Sequence, residues 1–196
     1  MKFKDCAISY AEHGYRIFPL IKNRKEPAIS NWQEQATIDL EKIISWWSKN
    51  PNYNVGVVAD QMILDVDVGH HEGVNGFATL EKYEPLPETF YVDTPSGGRH
   101  YYFITDQTED LTARVGIDDG LDVRAGGKGY VVGAGSSIDG KPYIASDASI
   151  QAVEAPLWLC DFKTQETYRQ VIAESFNHSH SRYPESFNST KPRSPI

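Results

Sequence analysis

The feature that most constrains the fold is a series of short runs rich in Val, Ile, Tyr and Phe, which alternate irregularly with helical patterns. The β-rich runs cover residues 15–18, 54–58, 62–67, 90–92, 99–104, 121–124 and 130–132. Apolar residues at helical spacing predict helices over residues 4–13, 39–49 and 73–83. Because these elements follow no regular β-α-β rhythm, the pattern predicts an α+β fold with a mainly antiparallel, mixed sheet flanked by helices.

The segments between the runs suggest how neighbouring strands pair. Only residues 59–61 separate the second run from the third, which predicts a hairpin. A loop at 94–98 joins the next two runs, and a glycine-rich turn at 125–129 joins the last two into a final pair. Pro19 is expected to end the strand over 15–18, because proline has no backbone N–H.

The chain has 196 residues, which is enough for one ordinary domain. We expect residues 1–162 to form that domain. Residues 163–196 are expected to form a C-terminal helix over 164–176 and a linker-like tail, rich in Ser, His, Asn and Pro, that leads to a further domain. No membrane span or secretory signal is recognisable, so a cytoplasmic protein is expected.

Acidic residues are concentrated in the middle of the chain. The net charge is −8, and residues 61–125 alone hold 13 Asp and Glu against 4 Lys and Arg. Binding of duplex DNA by charge alone is therefore disfavoured. Most of these residues are expected to be a solvated surface, and some could hold divalent cations.

The first candidate site is the pair Asp65 and Asp67, at the end of the apolar run 62–64. Residues i and i+2 of a strand point to the same face, so both carboxylates project together. Mg²⁺ or Mn²⁺ would relieve their repulsion and prefers oxygen ligands. The alternative is a strand that has emerged into solvent, where acidic residues cost nothing.

The second candidate is the loop Ser96, Gly97, Gly98 with the following Arg99 and His100. Its amides and the Ser96 hydroxyl can donate to phosphate oxygens, and its glycines permit close approach of a ligand. Arg99 and His100 must point to opposite faces of the strand. The alternative is a simple hairpin turn followed by an edge strand.

The third candidate is Asp122 with Arg124, which share a face by the same period of two. They could supply a third carboxylate for a metal and a cation for a triphosphate, or only a surface ion pair. The glycine-rich turn that follows is not a phosphate-binding P-loop, because Gly129 stands where Ser or Thr is needed.

The order of these motifs resembles the archaeo-eukaryotic primase superfamily. More closely, the chain resembles the bifunctional primase-polymerase (Prim-Pol) domain of plasmid, phage and mobile-element replication proteins. The resemblance extends over residues 5–160 and includes the segments 10–20, 25–27, 46–47, 51–57 and 129–132.

The resemblance implies a primase-like catalytic core with an RRM-like element, and template-directed addition of dNTP or NTP to a 3′-hydroxyl with release of pyrophosphate. It implies two Mg²⁺ or Mn²⁺ ions on Asp65, Asp67 and Asp122, and contact of His100 with the incoming triphosphate. The residues implied to shape or neutralise the nucleotide pocket are Ser96, Gly97, Gly98, Arg99, Arg124 and Lys25.

The expected partners are a single-stranded or primed DNA template and a fused or associated helicase. Zinc is not expected, because neither Cys6 nor Cys160 has a partner at ligand spacing. Trp46 and Trp47 could stack on bases, although core packing is favoured at their helical spacing. Two other functions stay open: a non-catalytic nucleotide or single-strand binder, and a two-metal nuclease.

Overall fold

Five short helices and twelve strands are present in the part of the chain that the computed structural model describes, which is residues 3–69, 73–105 and 114–160. The helices are α1 (Phe3–Glu12), α2 (Trp32–Gln35), α3 (Leu40–Lys49), α4 (Gly76–Leu80) and α5 (Leu157–Cys160). The strands are β1 (Ile17–Leu20), β2 (Asn54–Val58), β3 (Met62–Val66), β4 (Tyr91–Asp93), β5 (Arg99–Ile104), β6 (Arg114–Asp118), β7 (Leu121–Arg124), β8 (Tyr130–Val132), β9 (Ser137–Ile138), β10 (Lys141–Pro142), β11 (Ile144–Ala145) and β12 (Val153–Glu154). The predicted α+β class is confirmed.

The strands form two main sheets. The smaller sheet has the order β1-β2-β8 and is antiparallel. The larger has the order β11-β4-β5-β3-β7-β6, and β12 adds to β5 in parallel, which makes this sheet mixed as predicted. Strands β9 and β10 form a separate two-stranded hairpin.

Two predicted helices are confirmed, and the third is shorter than predicted. Helix α3 begins after Asp39, whose carboxylate accepts hydrogen bonds from the backbone of the first turn. Helix α4 does not cover residues 73–83. Asn75 caps it at Gly76, and Gly73 has a φ of +83°, which is incompatible with an earlier start. The predicted helix over 164–176 lies outside the described residues.

Both the hairpin predicted for β2 with β3 and the pairing predicted for β7 with β8 are wrong. In each case two successive strands belong to different sheets. The two connections run side by side instead, because the Gly127 N–H donates to the Ala59 carbonyl and the Ala59 N–H donates to the Gly129 carbonyl. Strands β2, β3 and β7 are all interior strands, so each needs two partners. Apart from β6, which forms a hairpin with β7, those partners are distant in sequence.

The prediction that Pro19 ends the first strand is wrong. Pro19 lies inside β1, opposite Val55. Strand β1 is the edge of the smaller sheet, where a residue without an N–H can be placed so that no ladder hydrogen bond is lost. The Pro19 carbonyl accepts instead from the Ala28 N–H and so fastens the segment that follows.

One apolar cluster joins the smaller sheet, α1 and α3 to the inner face of the larger sheet. Its members on the larger sheet include Ile63 and Tyr102. Trp46 and Trp47 belong to this cluster, and the Trp47 indole N–H donates to the Tyr53 carbonyl, so their interpretation as core residues is confirmed. The inner face of β3 is therefore apolar at Ile63 and acidic at Asp65, which is the next residue on the same face.

Candidate active site

Strand β3 is interior in the larger sheet and carries Asp65 near its end. Asp65 lies directly opposite His100 of β5 on one side and Asp122 of β7 on the other. Residues paired across neighbouring strands present their side chains on the same face, so these three groups form a row across the sheet. Arg124 lies opposite Ile63, in the adjoining row on that face.

Asp67 follows the end of β3 and completes a cluster of three carboxylates. Ligand atoms of Asp65, Asp67 and Asp122 all lie within 4.8 Å of one another. The Asp67 backbone is held on both sides, by its N–H to the Gly120 carbonyl and by its carbonyl to the Gly76 N–H. Carboxylate oxygens at this spacing are the hard donors that divalent cations such as Mg²⁺ and Mn²⁺ accept, so the residues fit such an ion.

Arg124 supplies positive charge to this cluster. Its Nη2 and Nε atoms lie 3.0 and 3.2 Å from Asp65 Oδ2, and Nη2 lies 3.4 Å from Asp122 Oδ2. The Asp65 side chain is only 9% exposed, whereas the Arg124 side chain is 30% exposed. The guanidinium therefore bridges two of the three carboxylates while one side of it still faces solvent.

His100 lies on the other side of Asp65, with Nε2 3.4 Å from Asp65 Oδ1. Burial lowers the pKa of the imidazole below its ordinary value; the Asp65 carboxylate opposes this shift, and the charges of Arg124 and Lys25 add to it. Burial and the two cations thus favour the neutral imidazole, which meets Asp65 as a hydrogen-bonding group.

The loop between β4 and β5 borders the strand that carries Asp65. Thr94 and Gly98 close it through a backbone hydrogen bond, and the Thr94 and Ser96 hydroxyls lie 3.0 Å apart. Gly97 has a φ of +89°, and a Cβ on Gly98 would lie 2.2 Å from the Val66 carbonyl oxygen. The glycines thus permit a tight hairpin that touches β3, and they leave Ser96 exposed.

Arg99 is the one sequence candidate on β5 that the structure places away from Asp65. It points to the opposite face, where Nε lies 2.7 Å from Asp93 Oδ1 and the guanidinium lies 3.6 Å from the Tyr91 ring centre. Its charge is therefore already paired and stacked on that face.

Two tyrosines outside the predicted site residues lie near this site: Tyr143 beside His100, and Tyr130 next to Gly129, where a Cβ would lie 3.7 Å from the Arg124 Cβ. The Tyr143 ring centre lies 6.0 Å from that of His100. Burial raises the pKa of Tyr143 to about 12, and the charges of Asp65 and Asp67 add to the rise. Nothing in the local sequence marks Tyr143, whereas Tyr130 lies in the segment 129–132 that carried the resemblance.

These features define a carboxylate cluster, suited to divalent cations, on the face of a mixed sheet that packs against a second sheet. The family model for the bifunctional DNA primase/polymerase N-terminal domain matches residues 7–158, so the chain belongs to this family. The family is one of nucleotidyltransferase enzymes that act in DNA priming and synthesis. No curated protein matches the sequence. Within the described ranges no helix is long and apolar enough to span a bilayer.

Proposed function

We propose that this domain is a DNA primase-polymerase that transfers a nucleotide from dNTP or NTP to a 3′-hydroxyl on a template and releases pyrophosphate. The observation that carries the proposal is the clustering of Asp65, Asp67 and Asp122, whose ligand atoms lie within 4.8 Å beside Arg124 and His100. Membership of the primase/polymerase family supports this reading of the cluster.

In the proposed reaction, Asp65, Asp67 and Asp122 hold two divalent cations, Mg²⁺ or Mn²⁺. When bound, such ions stabilise the attacking and leaving oxygens of an in-line displacement at phosphorus. The three carboxylates are held close together before a metal binds. Asp65 and Asp122 lie opposite one another on neighbouring strands, and the backbone of Asp67 is fixed by hydrogen bonds on both sides.

The remaining residues are proposed to bind the nucleotide. His100 contacts the triphosphate, and Arg124, which is partly exposed, neutralises charge that develops on the phosphates. Ser96 and the amides of Gly97 and Gly98 form the wall beside β3, and Lys25 approaches from the smaller sheet. Arg99 was predicted for this role on the basis of the sequence, but its placement with Asp93 favours a structural role in the hairpin.

The test is extension of a labelled primer on a template with dNTPs and Mn²⁺. Asp65→Asn and Asp67→Asn are expected to lower the rate by at least about a hundredfold, since each removes a metal-ligating charge. Asp119→Asn is the matched control, because Asp119 is an exposed carboxylate outside the cluster.

Shortening of the primer by the unaltered protein would indicate the nuclease alternative, and binding of DNA and nucleotide without either reaction would indicate the non-catalytic alternative. Unchanged extension in Asp65→Asn would contradict the proposed site. The same assay without a pre-made primer, run with dNTPs and with NTPs, tests whether the domain also initiates chains.

We further propose that the described fold is the archaeo-eukaryotic primase-like core with its RRM-like element, and that the domain acts in replication of a plasmid, phage or other mobile element. A helicase, fused or associated, would supply the single-stranded template. The predicted boundary at 162/163 is part of this proposal, and limited proteolysis followed by mass spectrometry tests it.

A further inference from the structure

A basic loop, which consists of residues 22–26, follows β1 and precedes α2, and hydrogen bonds hold its backbone in place. The Ile21 N–H donates to the Glu26 carbonyl, and the Arg24 N–H donates to the Ile21 carbonyl. The side chain of Asn23 pairs with Asp139, and the Asn54 amide donates to the Arg24 carbonyl at 3.1 Å. The shape of this loop is therefore fixed without the use of its charged side chains.

Three cations, Lys22, Arg24 and Lys25, stand in four consecutive positions of the basic loop, and all three side chains are exposed. Within the described residues none of the three makes an ion pair, whereas Arg16, Arg99 and Arg124 each pair with a carboxylate. Unpaired cations held close together repel one another, so a rigid loop that concentrates them is suited to an anion.

The basic loop adjoins the candidate active site. The Tyr130 hydroxyl donates to the Lys25 carbonyl at 3.1 Å. Tyr130 follows Gly129, where a Cβ would lie 3.7 Å from the Arg124 Cβ, so this hydrogen bond joins the loop to the strand segment beside Arg124. The loop is therefore an edge of the same site, on the side of the smaller sheet.

We propose that the basic loop binds the sugar-phosphate backbone of the single strand on which the enzyme acts, with Lys22 and Arg24 as the contacting residues. This inference deepens the proposed function and rests on it for the identity of the strand. A chain of net charge −8 repels a polyanion, so a strand that reaches the acidic cluster needs a local cationic surface beside it. In the proposed function the compact triphosphate lies close to Arg124 and Lys25. A single strand carries successive phosphates, which can reach the further cations Lys22 and Arg24.

The experiment measures binding of a fluorescent single-stranded oligonucleotide by anisotropy, without metal or nucleotide, across a range of salt concentrations. Lys22→Gln/Arg24→Gln is expected to raise Kd about tenfold, and to lower the slope of log K against log salt by roughly 1.4, because each single-strand phosphate contact contributes about 0.7. Lys49→Gln/Lys82→Gln is the matched control, since it removes two exposed cations outside the loop. Lys22→Arg/Arg24→Lys keeps the charges and is expected to retain affinity.

Equal Kd values for the loop variant and the matched control would overturn the inference. So would a loss confined to nucleotide binding, measured separately as the KM for dNTP, because that result assigns the loop to the triphosphate. Loop-dependent binding of the strand by a protein that fails to extend primers would support the loop assignment and contradict the proposed function, so the two failures are distinguishable.

Discussion

The carboxylate of Asp65 interacts with most of the other charged and polar groups of the site. It is 9% exposed and lies between the guanidinium of Arg124 and the imidazole of His100, with two further carboxylates nearby. Burial of a carboxylate beside other carboxylates costs free energy, and nearby cations reduce that cost. Arg124 balances it partly, so the three carboxylates keep a net negative charge that a divalent cation can offset.

At the residue scale, His100→Ala is expected to raise the KM for dNTP about tenfold, since the variant loses one hydrogen bond to a charged group. Affinity for Mn²⁺, measured by calorimetry, should change less than threefold, because the imidazole is not one of the three carboxylates that could hold the ion. His100→Gln keeps a polar group and controls for the cavity left beside Tyr143. An unchanged KM with a collapsed metal affinity would contradict the assignment of His100 to the nucleotide.

At the scale of elements, the turn of the β4–β5 hairpin contains the residues predicted to contact phosphate. Thr94 and Gly98 close the turn, and the loop lies against the Val66 carbonyl next to Asp67. The sequence left open a simple hairpin or a phosphate-binding loop. The structure shows a hairpin whose loop lies against β3 and leaves Ser96 exposed, so phosphate contact by Ser96 remains a proposal.

Gly98→Ala is expected to destabilise the domain by about 1–3 kcal/mol, the usual cost of overpacking, because its Cβ would meet the Val66 backbone, which cannot move without moving β3. Gly129→Ala is the matched control: the nearest atom to its Cβ is Arg124 Cβ at 3.7 Å, an ordinary contact. Urea unfolding of both variants measures the difference. Equal midpoints would show that the hairpin can shift away from β3.

For the whole molecule, the two crossovers between the sheets determine where the acidic cluster forms. The connections after β2 and after β7 pass side by side and hydrogen bond through Ala59. Because both connections pass between the sheets at the same place, β3 and β7 lie in the larger sheet and β2 and β8 lie in the smaller one. Ligands from separate parts of the chain thereby meet, so metal binding should be coupled to the stability of the whole fold.

Mn²⁺ at a hundred times its Kd is therefore expected to stabilise the domain by about 2.7 kcal/mol. For a domain of this size that corresponds to a rise in Tm of roughly 5–10 °C. Differential scanning fluorimetry with and without Mn²⁺ measures the shift, and Asp65→Asn should abolish it while Asp119→Asn retains it. An equal shift in all three proteins would indicate binding of the metal elsewhere.

The local periodicities of the sequence were sufficient for α1, α3 and most strands, and for the antiparallel α+β class. They also sufficed to predict that Asp122 and Arg124 share a face, since a period of two depends only on strand geometry. The predicted limits of α4 and the predicted position of Pro19 at a strand end were wrong. The Asn75 cap and the edge position of β1 both depend on the surrounding tertiary structure, which local periodicity does not describe.

Apart from the β4–β5 hairpin, which the short loop at 94–98 predicted, the pairing of the strands was decided by the tertiary structure. The backbone hydrogen bonds of a ladder are the same for every sequence, and β2 and β3 are buried throughout, so no alternation of polar residues indicates a partner. The sequence by itself determined that Arg99 and His100 face opposite ways, because successive residues of a strand alternate between its two faces. Only the register of β5 on β3, which the tertiary structure sets, decided that His100 shares a face with Asp65.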